Sequence, residues 1–165
     1  MFTLRASLVA GLLGVAMRSI GCSCIDFGLA SHFAGADYVF EGFVWSSRIV
    51  AWSDPEEPFI REITLAVGHV YKGVLTTDRV VIRTSTHGQA CGTLLPVGTR
   101  QLVFAREIEK FSTGPEPDRR YVHSSLCSGN RFYPFWCFSL RKNIRRLSRG
   151  EEIPAGSKWA IDRAW

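Results

Sequence analysis

The sequence predicts a mainly β fold, a small closed or partly open barrel, with one amphipathic helix near its C-terminal end. Three observations carry this expectation. Short runs rich in Val, Ile, Phe and Trp recur from Tyr38 to Arg106, broken by Gly, Pro and Asp turn signals. One run alternates cleanly, with Ile63, Leu65 and Val67 facing one way and Thr64, Ala66 and Gly68 the other. Late in the chain the period becomes helical, because Cys137, Leu140, Ile144 and Leu147 follow one another at steps of three and four.

Residues 1–21 read as a secretory signal. Arg5 is a short basic start, Ala6 to Met17 is apolar, and Ser19 and Gly21 are the small residues a signal peptidase requires. Cleavage after Gly21 makes Cys22 the first mature residue. The apolar run is too short to span a hydrocarbon core of roughly 30 Å, and no later segment is apolar enough, so no membrane span is expected. The expected location is secreted or extracellular, or periplasmic. Ile20-Gly21-Cys22 also resembles the end of a lipobox, the alternative being a lipoprotein acylated on Cys22; Ser19 stands where leucine is usual.

The strands follow in order. Tyr38 to Val50 is one run, with Gly42 inside it as a bulge or bend. Ser53 to Pro58 is an acidic turn. Ile63 to Val70 is the alternating strand, and Lys72-Gly73 turns the chain. Arg79 to Thr84 is a short strand, and Leu95 to Gly98 leads into another from Arg100 to Arg106. Ser112 to Asp118, with its prolines and glycine, is loop. The helix on the Cys137 stripe stops near Gly150. Residues 22–149 form the single domain that 165 residues accommodate, and residues 150–165 are a tail without pattern.

The formal charge of +5 falls to +3 when Arg5 and Arg18 leave with the signal. Most of the excess lies between Arg141 and Arg149, near Arg119 and Arg120. Such a run is usually a solvated helix face; contact with extracellular matrix or another polyanion, or with an anionic surface, is the alternative. An exported chain of modest charge is not expected to bind nucleic acid. His32, His69, His87 and His123 are scattered, and Glu56-Glu57 sits between prolines as a solvated pair. With no nucleophile triad or carboxylate pair at catalytic spacing, the chain is not expected to be an enzyme, and no cofactor of its own is expected.

All five cysteines, Cys22, Cys24, Cys91, Cys127 and Cys137, lie in the exported part. An oxidising destination favours disulfides and disfavours Cys22-Ser23-Cys24 as a thiolate metal or redox site. An odd count leaves one thiol over, and four cysteines alone allow three connectivities. Cys137, on the apolar stripe, reads as a buried inert thiol or as one half of an intermolecular bridge.

Several stretches taken together resemble the netrin-like domain of the tissue inhibitors of metalloproteinases. They are Cys22-Ser23-Cys24 at the expected mature terminus, Phe33 to Asp37, Val39 to Val44, Val70 to Gly73, Ala90-Cys91-Gly92, Gly98 with Leu102 to Phe104, and Leu126-Cys127. The resemblance covers roughly residues 22–130. It implies a five-stranded OB-type barrel with helices packed on it, and bridges Cys22–Cys91 and Cys24–Cys127. The family's usual third bridge is absent, since Ala34 stands at the expected position of its first partner. No counterpart of the cysteine-rich second domain of the animal inhibitors is expected in the 38 residues after Cys127, and Asp26 replaces a frequent proline.

The function the resemblance implies is inhibition of a zinc metalloproteinase. A catalytic zinc keeps one coordination position open. The α-amino nitrogen and carbonyl oxygen of Cys22 would close a five-membered chelate on the target's zinc. A free α-amine titrates at about 7.7 to 8.0, so a fair fraction is neutral near pH 7. The bridges would hold the terminus rigid, leaving little freedom to lose on binding. By the same resemblance Ser23 would enter the target's main specificity pocket. Cys24, Ile25 and Asp26 would run along the cleft, and Gln89 and Ala90 would flank the zinc. The hairpin loop near Trp52 would add contacts at the rim. The alternative function is a secreted netrin-like binding or structural module, which would need the same barrel and bridges.

Overall fold

The strand signals of the sequence build one six-stranded sheet in a computed structural model that describes residue 24 and residues 28–52, 58–86, 91–108 and 121–154. The expected signal segment, Cys22, Ser23, Ile25, Asp26, Gln89 and Ala90 lie outside the described residues, as do 53–57, 109–120 and the tail beyond 154. The elements are helix α1 (Gly28–Gly35), strands β1 (Tyr38–Ala51), β2 (Phe59–Lys72), β3 (Arg79–Ser85), β4 (Arg100–Ile108), β5 (Tyr121–His123) and β6 (Arg131–Phe132), and helix α2 (Phe138–Ser148). A single 3₁₀ turn, Leu126–Ser128, lies between β5 and β6.

The sheet order is β1-β2-β3-β5-β4-β6, and β1 also pairs with β4. Pairing therefore runs from β1 through β2, β3, β5 and β4 and returns to β1. All these pairs are antiparallel except β3 with β5. β1 reaches both neighbours because it is long and bent. Its first half, Tyr38 to Phe43, pairs with β4, while Ser46 to Ala51 continues alongside β2 alone. Register shifts between Phe40 and Gly42 and between Val44 and Ser46 make the bend. Gly42 is the residue expected there, and a Cβ on it would come within 2.7 Å of Leu65 Cδ2.

Two hydrophobic clusters share the sheet. Phe40, Val44, Ile63, Leu65, Ile82 and Val103 pack between the strands of the circuit. Val39, Leu102, Phe104, Tyr133, Leu140 and Ile144 pack between the opposite face and the helices. Neighbouring residues of β1 and β4 thus enter different clusters, so β4 is buried without a break from Gln101 to Ala105. In β2, Ile63 and Leu65 are fully buried and Val67 packs beside them, the alternation read from the sequence.

Helix α2 lies on the second cluster through Leu140 and Ile144, with Leu147 against them. Cys137 caps the helix rather than belonging to it, and is buried with a free thiol. A polar chain fastens the helix to the sheet. Arg141 lies 3.6 Å from Glu41 Oε2 and donates to the Tyr133 hydroxyl at 3.3 Å. The Tyr71 hydroxyl donates to Glu41 Oε1 at 2.6 Å and lies 3.1 Å from that of Tyr133.

The sequence boundaries need three corrections. β2 begins at Phe59 rather than near Ile63, because Ile60 to Glu62 pair with both β1 and β3 and Glu62 is buried between Arg48 and Arg83. β4 runs to Ile108, beyond Arg106, because β5 pairs with its end. β5 and β6 lack a pattern of their own and take their conformation from β4.

Candidate functional site

The described part of the expected site is the point where the cysteine-bearing segments meet. Cys24 is exposed and forms a disulfide with Cys127, with an S–S distance of 2.03 Å and Cα atoms 5.1 Å apart. This is the pairing the family resemblance implies. Cys91 is also disulfide-bonded, and its partner lies outside the described residues. The two attachment points are neighbours: the Leu126 N–H donates to the Cys91 carbonyl at 2.7 Å, and Gly92 pairs with Ser125 in an isolated bridge.

Each attachment point is locally specified. Cys127 sits in the 3₁₀ turn, where the Ser125 N–H donates to Ser128 Oγ at 2.9 Å. The turn ends at Gly129 in the left-handed region, φ +88°, where a Cβ would also stand 2.6 Å from the His32 ring. Both constraints require glycine. Cys91 has φ +56°, a conformation unusual for a side-chain-bearing residue, and its bonds on either side hold it there. Gly92 lies so close to the Ser85 carbonyl that any Cβ would strike it. The Thr93 N–H then donates to Thr84 Oγ1 at 2.9 Å, which fastens the segment to the end of β3.

Beneath these points Asn130 does the work of a strand neighbour. Its Oδ1 accepts from the Phe104 N–H at 2.9 Å, and its Nδ2 donates to Ser124 Oγ at 2.8 Å and Thr93 Oγ1 at 3.3 Å. Ser124 Oγ donates in turn to the Phe104 carbonyl at 2.8 Å. Such networks rigidify what they join when every member is satisfied.

Helix α1, which follows the Cys24 segment, is fixed at its C-terminal end. Lys72 Nζ donates to the Phe33 and Ala34 carbonyls at 2.8 and 2.9 Å, and Arg106 Nε to that of Gly35 at 2.7 Å. These cations take up carbonyls that the last helical turn leaves over. Between α1 and the Cys127 turn lies a cleft of about 350 Å³ lined by His32, Arg106, His123, Ser125, Cys127 and Ser128. Its walls combine apolar surface, from Ala36 and Phe104 among others, with the Arg106 guanidinium and the Ser125 and Ser128 hydroxyls. Among the described residues, no group of three or more His, Cys, Asp or Glu is placed to hold a metal.

Of the sequence-derived site residues, Cys24, Cys91 and Cys127 are therefore brought to one end of the molecule. Cys137 is buried in the core cluster beneath α2 and its thiol is free. Trp52 is half-buried with the Arg83 guanidinium 5.2 Å over its ring, whereas Trp45, on the body of the hairpin, is 59% exposed. Asn130, Thr93, Lys72 and Arg106 escaped sequence reasoning.

No protein-family model matches the chain, and no curated protein matches it. No helix among the described residues is long and apolar enough to cross a membrane.

Proposed function

We propose that this protein is a secreted inhibitor of a zinc metalloproteinase, of the kind its resemblance implies, acting through the α-amino group and carbonyl of Cys22 once residues 1–21 are removed. The observation that carries the reading is the Cys24–Cys127 bridge, set one backbone hydrogen bond from a second disulfide-bonded cysteine, Cys91. A terminus used as a zinc chelator must be immobile before it binds, because ordering it on binding would consume affinity. Anchor points fixed by Gly92, Gly129 and Asn130 support the reading. Ser23, Ile25 and Asp26, with Gln89 and Ala90, are then the residues that would line the contact with the protease. The zinc belongs to the target. An OB-type barrel is the fold reading that goes with this function, and the return of strand pairing from β4 to β1 supports it.

The test compares the oxidised chain beginning at Cys22 with one carrying an alanine before it, each titrated against a panel of zinc metalloproteinases. Inhibition by the first and not by the second is the expected outcome. Equal inhibition by both would remove the terminal chelate, and inhibition by neither would favour a netrin-like binding module. That second reading draws on a different observation, an aromatic and basic surface beside α2 that zinc chelation does not use.

A further inference from the structure

We infer that the start of helix α2 is a docking surface for an anionic lipid bilayer. The segment from Phe132 to Phe138 alternates between anchored and presented residues. Tyr133, Pro134 and Cys137 are buried, while Phe135, Trp136 and Phe138 are 69%, 58% and 71% exposed. The backbone fixes this division. The Tyr133 N–H donates to the Arg100 carbonyl at 2.9 Å, and those of Cys137 and Phe138 to the Pro134 and Trp136 carbonyls at 3.1 and 2.8 Å. The rings of Phe135 and Trp136 meet edge to face, 4.7 Å apart and at 83°, a compact apolar knuckle raised on a rigid base.

The helix continues this surface with positive charge. Phe138, Lys142, Arg145 and Arg149 follow at steps of four, three and four, one stripe of a 3.6-residue helix, opposite the buried Leu140 and Ile144. Arg149 is paired with Glu151 at 2.7 Å, whereas Lys142 and Arg145 make no ion pair among the described residues. Aromatic rings that settle at the headgroup boundary, followed along the same surface by cations at phosphate level, form the two halves of an interfacial membrane contact. At about 1.5 Å per residue, Arg145 lies roughly 10 Å beyond Phe138 along the axis, so the cations can rest on the surface while the rings enter it. A sulfated polysaccharide would engage the cations and leave three apolar rings in water. An anionic bilayer uses both. None of these residues is one that the inhibitory reading uses, so the proposal does not rest on that reading.

The test is co-sedimentation of the oxidised protein with vesicles of phosphatidylcholine alone and of phosphatidylcholine with one part in four phosphatidylserine. One variant combines Trp136→Ser with Phe138→Ser and another Lys142→Ala with Arg145→Ala. All carry the same N-terminus, checked by mass, and the substituted side chains are exposed, so the fold is retained and is monitored by thermal melting. Binding to the phosphatidylserine vesicles that weakens with added salt is expected. The charge variant should lose about thirtyfold in partitioning and the aromatic variant about tenfold. Absence of binding to phosphatidylserine vesicles overturns the inference, as does undiminished binding by both variants. Loss in the charge variant alone, with retention on a heparin column, would also overturn it, identifying a polyanion as the partner.

Discussion

Leu126 donates its backbone N–H to the carbonyl of Cys91 at 2.7 Å, and this bond places two disulfide-bearing segments, distant in sequence, side by side. One leads through Cys127 to Cys24. Cys24 is thereby tied to the sheet, and the proposed inhibitory mechanism would need the same of the residues before it.

Removing the described bridge should be costly. Cys24 and Cys127 are 103 residues apart, so by loop entropy their cross-link stabilises the fold by about 4 to 5 kcal/mol, less any native strain. The double variant Cys24→Ser/Cys127→Ser should lose about 2 to 5 kcal/mol in denaturant unfolding and most of its inhibitory activity. Retention of both would mean that the bridge merely decorates the turn.

Glu62 should shape the acid limb of the stability profile. Burial pushes its carboxyl up, but Arg48 and Arg83, at 2.7 and 2.9 Å, outweigh that and hold it below the ordinary carboxylate range. A carboxyl depressed in the folded state contributes stability above its unfolded value, about 4.3, and loses it as the pH falls through the folded value. Glu62→Gln should therefore cost about 1 to 3 kcal/mol at neutral pH and progressively less below about pH 4. Urea midpoints of the two proteins between neutral and acid pH check this; a constant difference would exclude the ion triad as the cause.

The alkaline limb should respond to Tyr71. Burial, then its bond to Glu41, pushes the Tyr71 phenol well above its ordinary value, and burial raises Tyr133 as well. A phenol raised in the folded state stabilises below its unfolded value, about 10, and that contribution fades as the pH rises further. Tyr71→Phe removes the donor to Glu41 and should cost about 1 to 2 kcal/mol near neutrality. It should also flatten the decline in stability above about pH 10, measured by thermal unfolding.

Cys137 should be chemically silent in the native protein. It is 6% exposed, and burial raises its thiol despite the nearby Arg141. A water-soluble thiol reagent at mildly alkaline pH should therefore label it only as fast as the protein opens, and denaturant should make labelling immediate. Rapid labelling of the native protein would show the thiol to be accessible, as an intermolecular bridge requires.

The legible parts of the fold are those in which one face meets the core and the other meets solvent. Ile63, Leu65 and Val67 announce a strand in this way, and Leu140, Ile144 and Leu147 a helix. Leu102 to Ala105 is strand-like without alternating, because both faces of β4 are covered. Pattern fails where tertiary contacts decide. Glu62 looks like surface until its two arginines are in place, and the short β5 and β6 exist only as partners of β4. Phe135, Trp136 and Phe138 carry no pattern that sets them apart, and they stand in solvent although large aromatics are mostly well buried. At the candidate site the cysteines were readable from composition and resemblance. The glycines, Thr93 and Asn130 that position them were not, because close approach and side-chain bridging leave no periodic trace.

The central claim, that a free α-amine on Cys22 is the inhibitory group, is tested most directly by blocking that amine alone. The oxidised chain beginning at Cys22 is treated with cyanate at near-neutral pH, where the α-amine reacts ahead of lysines because it is far less protonated. Mass mapping confirms the single carbamyl group, and the product is titrated against a metalloproteinase that the untreated protein inhibits. Complete loss of inhibition, with thermal stability unchanged, is the predicted result. Undiminished inhibition by the carbamylated protein would contradict the account.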